Sequence, residues 1–387
     1  MDGSEYRGME CVARADYEKV NQTDIDGLYD IYWEDGQQFN LYNASMGGSL
    51  RGLIQMRDGN NGENFTGTVV DVGTVNGGQQ DTVTIETSKH YLTDLNKCNL
   101  SDSGKISLGN QVFYYDSWEY TCEVDANGEA TYTYKFTLSD SARNDSRVTN
   151  DRVGKPATTG FSLDYQGVPY YMSQMNEWLR TFSQKFNDML TSGYDSAGRE
   201  GVMMFTANHA TDEEQFDFPD GSDGTKNTRY DKEIANGSSI TVSNTDDSYF
   251  RMTAKNFSVL SVLEEDPTLL ANRYDQGDGV EQSDLLQDLR DMVYDKDQLS
   301  FRGSNAAEFL QNILSDIALN AQRANTFHQS FSDISATIDT QRISISGVDE
   351  DEEAVNLVKY QNGYNLASKM IQTLTEIYDK LILETGV

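Results

Sequence analysis

Three histidines, three cysteines and three tryptophans are the scarce reactive residues of this 387-residue chain. Acid–base or metal chemistry near neutral pH usually enlists histidine beside a second polar or titratable group. His90, His209 and His328 lie in unrelated contexts, and no HExxH, Walker loop, GxSxG or GxGxxG accompanies them. The acidic loop Asp217-Phe-Pro-Asp-Gly-Ser-Asp-Gly224 offers oxygen ligands of the kind calcium takes. It lacks the alternate-residue acids and terminal Glu of an EF-hand loop, so it reads as a solvated loop. Cys11, Cys98 and Cys122 show no CxxC or metal spacing, and their odd count does not make a disulfide scaffold. A Cys98–Cys122 bridge is left open by the sequence. Among 63 Asp and Glu, carboxylate pairs carry no information about acid–base work. The chain is read as a non-enzyme, with no catalytic residue, no cofactor and no metal.

Those 63 acids face only 30 Lys and Arg, for a net charge of −33. Such a surface repels nucleic acid and anionic membranes, which bind through clustered basic residues. No segment approaches the roughly 20 consecutive apolar residues of a transmembrane helix. Met1-Asp-Gly-Ser-Glu5 lacks a basic stretch followed by an apolar run, so it is not a cleavable signal peptide. Neither nucleic-acid binding nor membrane insertion is expected.

Hydrophobic periodicity divides the chain. Residues 1–58 read as a partial β-rich outer region leading to a short helix. Gly47-Gly-Ser-Leu-Arg-Gly-Leu-Ile-Gln-Met-Arg-Asp58 places Leu50, Leu53, Ile54 and Arg57 at helical spacing, and Gly59-Asn-Asn-Gly62 ends it. Over 59–163 the period becomes two. Val83 and Ile85 alternate with threonines, as do Tyr132, Tyr134, Phe136 and Leu138, and Asp125-Ala-Asn-Gly128 marks a hairpin. This interval reads as an inserted antiparallel β domain whose removal leaves the rest folded. Residues 164–302 contain a helix at 168–191, where Met172, Met175, Leu179, Phe182, Phe186 and Met189 are spaced 3-4-3-4-3, followed by mixed short strands, acidic loops and a short helix.

Two long helices close the chain. One, within 303–343, carries Leu310, Ile313, Ile317, Ala321, Ala324, Phe327, Phe331, Ile334 and Ile338 on one face. The other, within 344–387, has the seam Leu357, Tyr360, Tyr364, Ala367, Ile371, Leu374, Tyr378 and Leu381, spaced 3-4-3-4-3-4-3. It should be roughly 50 Å long at 1.5 Å per residue. Asp349 and Glu352 stand in the Ncap and N3 relation of a capping box, and the adjacent acids suit the positive end of the helix. The fold class is therefore α+β: long C-terminal and internal heptad helices form an α-helical core domain, with antiparallel β outer domains inserted. The 168–191 and 304–340 stripes are expected to pack side by side. That leaves the terminal helix without a partner in its own chain, and its seam is the predicted assembly interface.

The segment after Ser344 closely resembles the C-terminal signature of the flagellar hook-associated protein 1 family, the hook–filament junction. The matching residues are Ser346, Gly347 and Val348, the acids Asp351, Glu352 and Glu353, then Leu357, Lys359, Tyr360, Gln361 and Tyr364. Asp379-Lys-Leu-Ile382 resembles the family's closing Asp-x-Leu-Leu. Two further stretches are similar: Gly47–Asp58, and Phe186-Asn-Asp-Met-Leu-Thr-Ser-Gly-Tyr194 with Gly198 and Phe205, where Met189–Leu190 replaces the family's usual His. Asp266-Pro267 and Leu270-Ala271 also fit a family segment. The family's N-terminal helices have no counterpart ahead of residue 47, and the terminal helix is expected to gain order when given them.

The resemblance implies a structural axial subunit, extracellular in the flagellum and exported by the type III route without a cleavable signal. Implied partners are hook and filament-side junction subunits, further copies in a ring or tube, and an export chaperone at the C-terminal helices. A different reading is a secreted surface adhesin or glycan-binding module carried by the β insert, with Trp33 and Trp118 as stacking platforms. Trp178 lies in a helix and is expected to pack against its neighbours. A third is an enzyme grafted on that insert.

Overall fold

Alternating apolar residues become strands and heptads become helices, giving an α+β architecture in two compact units, Met1–Ile313 and Leu314–Val387. The computed structural model describes residues 7–25, 28–43, 47–140, 143–144, 146–218, 234–279, 281–347 and 349–384. In chain order the body holds β1 (Met9–Ala13), β2 (Tyr29–Trp33), α1 (Gly48–Asp58), β3 (Phe65–Val75), β4 (Gln80–Glu86) and the single turn α2 (His90–Thr93). Then come β5 (Gly104–Leu108), β6 (Gln111–Val124), β7 (Ala130–Leu138), β8 (Pro156–Thr159), α3 (Val168–Thr191) and β9 (Phe205–Ala207). The series ends with β10 (Ser239–Ser243), β11 (Phe257–Val259), α4 (Ser261–Glu265), α5 (Asp284–Met292), α6 (Ala306–Ser346) and α7 (Glu350–Glu384).

The main sheet runs β10-β6-β5-β8-β3-β4-β7, and β7 pairs back onto β6. Every pairing in it is antiparallel. Strands β6, β5, β8, β3, β4 and β7 thus close into a barrel, which removes the free edges an open sheet would expose. The predicted hairpin joins β6 to β7. Asp125 accepts from Asn127 N and Glu129 N, each at 2.8 Å, and Gly128 takes φ 86°, a left-handed conformation that glycine reaches without strain.

A bulge at Asp116 decides which side chains of β6 fill the barrel. Tyr115 pairs with Leu138 but Ser117 pairs with Thr137, leaving Asp116 as the extra residue. Phe113 and Tyr115 point inward before it; Trp118, Tyr120 and Cys122 point inward after it. Unbroken alternation would have turned Trp118 to solvent. Instead it is fully buried, and its Nε1 donates to Ser101 O at 3.0 Å. Asp116 stays outside, where its carboxylate accepts from Ser139 Oγ at 2.5 Å and Arg143 Nη1 at 3.0 Å. Cys98 and Cys122 are both free thiols of this core, so the bridge left open by the sequence is not formed. Burial pushes the Cys98 thiol above its ordinary range.

Residues 59–163 are not self-contained. The edge strand β10 comes from outside that interval, and Val242 and Phe250 complete the barrel core. Trp118 N donates to Asn244 Oδ1 at 2.9 Å, and Phe250 meets the Trp118 ring edge-on at 5.0 Å. From α3, the buried Arg180 donates to Asn96 O at 3.1 Å, Cys98 O at 2.9 Å and Met252 O at 3.0 Å. It also donates to Gln22 Oε1, and its guanidinium lies over the Phe250 ring at 4.6 Å. One side chain thereby ties the helical layer, the barrel and the N-terminal segment together.

The second core gathers Leu190 of α3, Leu285, Leu289 and Met292 of α5, Phe301, and the first turns of α6. Trp178 stacks on Phe182 at 4.6 Å and donates from Nε1 to Ala306 O at 3.0 Å. Phe301 and Phe309 stack at 5.4 Å. This packing stops at Ile313. Phe309 is 4% exposed and Ile313 6%, whereas Phe327 is 63% and Phe331 68% exposed. The expected side-by-side packing along 304–340 is therefore limited to 306–313. Phe309→Ala is expected to destabilise the body by about 3–5 kcal/mol in urea unfolding. Phe331→Ala, by contrast, should stay within about 0.5 kcal/mol of the unmodified chain. A large loss at Phe331 would show that its stripe is covered in solution.

Candidate assembly interface

The residues with reactive side chains do not converge. Among the described residues, no group of three His, Cys, Asp or Glu is placed to hold a metal ion. His90 and His328 are exposed at separate places. His209 Nε2 lies 3.2 Å from Asp247 Oδ2, but that carboxylate also holds Arg251 Nη1 at 3.3 Å and Asp217 N at 3.0 Å. The group cross-links two loops. Beyond Phe218, the acidic stretch considered for calcium falls outside the described residues. The tryptophans do not form a stacking platform either: Trp118 is buried, Trp178 lies against Phe182, and half-buried Trp33 meets Phe39 edge-on at 5.2 Å.

The motif residues shared by 186–205 and 266–271 serve packing in the body. Asn187 Oδ1 accepts from Met204 N at 3.0 Å and Phe205 N at 2.9 Å, and its Nδ2 donates to Tyr249 Oη at 2.9 Å. A Cβ on Gly193 would come within 2.2 Å of Leu285 Cδ1. Leu190, of the Met189–Leu190 pair that stands where the resembled pattern has a histidine, is fully buried beside Ala271 in the second core. Asp266 caps the turn Pro267–Leu269 by accepting from Thr268 N at 3.1 Å.

In the terminal unit, α7 begins where the acids place it. Asp349 Oδ1 accepts from Asp351 N at 3.0 Å and Glu352 N at 3.4 Å, the Ncap half of a capping box. Glu350, Asp351, Glu352 and Glu353 occupy the first turn, where negative charge is favoured by the helix dipole. Upstream, Gly347 N donates to Ile343 O at 2.6 Å. A Cβ at Gly347 would lie 2.2 Å from that same oxygen, so the last turn of α6 closes tightly only with glycine there. Of the matching residues Ser346, Gly347 and Val348, the Ser346 side chain and Val348 fall outside the described residues.

The seam of α7 is open to solvent. Leu357 is 70% exposed, Tyr364 75%, Ile371 66% and Leu374 49%, and Tyr360, Ala367, Tyr378 and Leu381 are exposed with them. Between Ala354 and Thr375 the charged residues are Lys359 and Lys369. The hydroxyls of Thr373 and Thr375 are bonded to the carbonyls of Lys369 and Ile371, at 3.0 and 2.9 Å. Those hydroxyls therefore need no water when the helix is covered. Sequence reasoning missed a second set, Val355, Leu366, Met370 and Ile377, which are also exposed. At about 100° per residue they run beside the seam, and the spacing alone would have shown them. A helix this apolar gains its stability from packing rather than from propensity.

Comparison with a family model falls on this helix and the last turns of α6. Residues 339–383 match the family described as "Flagellar basal body rod FlgEFG protein C-terminal". Over 99 residues the chain is 25% identical to flagellar hook-associated protein 1 of Bacillus subtilis (strain 168), covering 26% of this chain. The match spans 20% of that relative's own length. No helix among the described residues is long and apolar enough to cross a membrane. The matches support a structural component of the bacterial flagellum.

Proposed function

We propose that the chain is an axial subunit of the flagellum at the hook–filament junction, held in place by the seam of α7. The observation that carries this reading is a capped helix of 35 residues whose apolar seam is exposed and which coincides with the rod-family match. Burying a leucine or isoleucine of such a seam stabilises by about 1.5–3 kcal/mol each. Docking against neighbouring subunits is the state in which that energy is realised. The partners are hook and filament-side junction subunits and further copies of the chain in a ring or tube, and the acidic barrel faces solvent. Export follows the type III route, with a chaperone covering the C-terminal helices beforehand. No step of this role requires catalysis.

Gold-labelled antibody against the barrel, applied to intact flagella, tests the assignment in the electron microscope. Label confined to the hook–filament boundary is expected. Label distributed along the filament, or none on flagella that contain the chain by immunoblot, would remove the junction role.

A further inference from the structure

Strand β10 lies outside the closed ring of the barrel and keeps one edge of its own. At its two ends Val124 N donates to Ser238 O at 2.9 Å and Asn244 N donates to Trp118 O at 3.1 Å. Antiparallel pairing alternates, so the even-numbered residues of β10 turn their backbone groups toward β6. The N–H and C=O of Ser239, Thr241 and Ser243 therefore point the other way. Among the described residues no strand pairs on that side, and no backbone bond from a turn or loop reaches these groups. Ser239 and Thr241 are exposed. Such an edge is a template for another strand, and proteins usually blunt it with charge or proline. Ile234–Thr245 contains neither, although 24% of the chain is charged.

The strand is also symmetrical. Ser239-Ile-Thr-Val-Ser243 reads alike from either end about Thr241, with Ile240 and Val242 packed on the barrel core and the hydroxyl residues on the other face. A two-fold contact asks for this, because each residue of the patch meets another residue of the same patch. Rotated about Thr241, a second copy sets Ser239 opposite Ser243 and Thr241 opposite Thr241. The free N–H and C=O groups then meet as hydrogen-bonded pairs. The hydroxyl row that already joins Thr121 to Thr241 at 3.0 Å continues across the joint. Acidic neighbours oppose this contact only weakly. Glu119 and Glu123 of β6 flank Ser243 and Ser239. From the same acids of a second copy they are separated by three strand spacings, roughly 14 Å, which exceeds the Debye length of about 8 Å.

We propose that the exposed edge of β10 is a self-recognition surface, on which two copies of the chain join antiparallel about Thr241 into one continuous sheet. A two-fold contact does not repeat between like-oriented neighbours of a ring, so this dimer belongs to the free chain. It stands on β10 alone and is independent of the junction reading, which the gold label tests separately.

The test uses the full chain carrying Cys11→Ser, with Cys98 and Cys122 left in the barrel core. In the dimer the two Thr241 Cα atoms lie about 5.5 Å apart, within the span of a disulfide, whereas the two Ser239 Cα atoms lie about 14 Å apart. Under oxidation, Thr241→Cys is expected to link chain to chain at least about tenfold faster than Ser239→Cys. Mixing Ser239→Cys chains with Ser243→Cys chains should restore the fast rate. Equal rates throughout would overturn the proposal. Amide exchange on the unmodified chain reads the same edge without an added cysteine. Protection of Ser239, Thr241 and Ser243 should rise between about 10 μM and about 1 mM, the range of a small contact. Thr241→Pro should abolish the rise at Ser239 and Ser243. That proline costs the barrel no bond, since the N–H it removes does not reach β6. Protection that is complete at every concentration would assign the edge to a segment of the same chain and overturn the dimer. Protection absent at every concentration, or a rise that survives Thr241→Pro, would overturn it as well.

Discussion

Deleting residues 59–163 and joining 58 to 164 is expected to abolish cooperative folding of the body Met1–Ile313. The deletion removes β6, on which β10 depends for its pairing. It takes away Asn96 O and Cys98 O, two acceptors of a guanidinium that is wholly buried. Burial pulls Arg180 down to about 10, yet at neutral pH it remains charged and cannot escape by losing its proton. Each hydrogen bond from the charged guanidinium that is lost costs about 1.5–3 kcal/mol. Loss of cover over Phe250 and Val242 adds about 1.5–3 kcal/mol for each side chain. A domain is stable by only about 5–15 kcal/mol, so these losses together are comparable with the whole. The measurement is urea unfolding followed by near-ultraviolet circular dichroism, which reports the packed aromatics. A cooperative transition in the deletion variant would show that the barrel is separable after all. Arg180→Leu isolates one part of the argument. It removes the charge but leaves three buried carbonyls short of a donor, and a loss of about 3–5 kcal/mol is expected by the same assay.

What the sequence revealed, and what it hid, follows from the range of each interaction. The β7 alternation of Tyr134, Phe136 and Leu138 and the cap at Asp349 are local patterns, and both appear in the structure as read. The bulge at Asp116 is local too, but β6 carries Tyr114, Tyr115, Trp118 and Tyr120 on both parities, so alternation did not show where the register shifts. β10 joins β6 across more than a hundred residues of chain, and its own five residues do not identify the neighbour. Arg180 sits inside a heptad helix where a cation would ordinarily be solvated; its burial arises from loops that meet only in three dimensions. The 304–340 stripe shows a further limit. Its spacing is the same before and after Ile313, yet the first part is covered by the body and the rest is exposed. Periodicity identifies a face that can be buried; it does not say by what.

The substitutions Ile371→Asp and Leu374→Asp, made together, are expected to abolish incorporation at the junction while the body melts as before. Both side chains are exposed in this chain, at 66% and 49%, so the charges cost the free subunit little. Docked, each carboxylate would lie in an apolar seam with no cation opposite. Isolated carboxylates transferred into such a layer cost several kcal/mol each, or take up a proton at comparable expense. A loss of about 6 kcal/mol or more from two adjacent layers corresponds to more than ten-thousandfold in association, beyond what a multi-subunit ring would tolerate. Gln372→Asp is the control, because it adds one carboxylate between the two layers on the polar face of α7. Helix propensity changes similarly there, so normal incorporation of that variant assigns the defect to the seam. The readouts are the gold label at the junction and the thermal transition of the purified chain. Unchanged labelling with the double variant would show that α7 assembles through some other face, the set Val355, Leu366, Met370 and Ile377 being the next to charge. A lowered body transition would instead mean that the seam supports Met1–Ile313, and the assembly role would lose its main support.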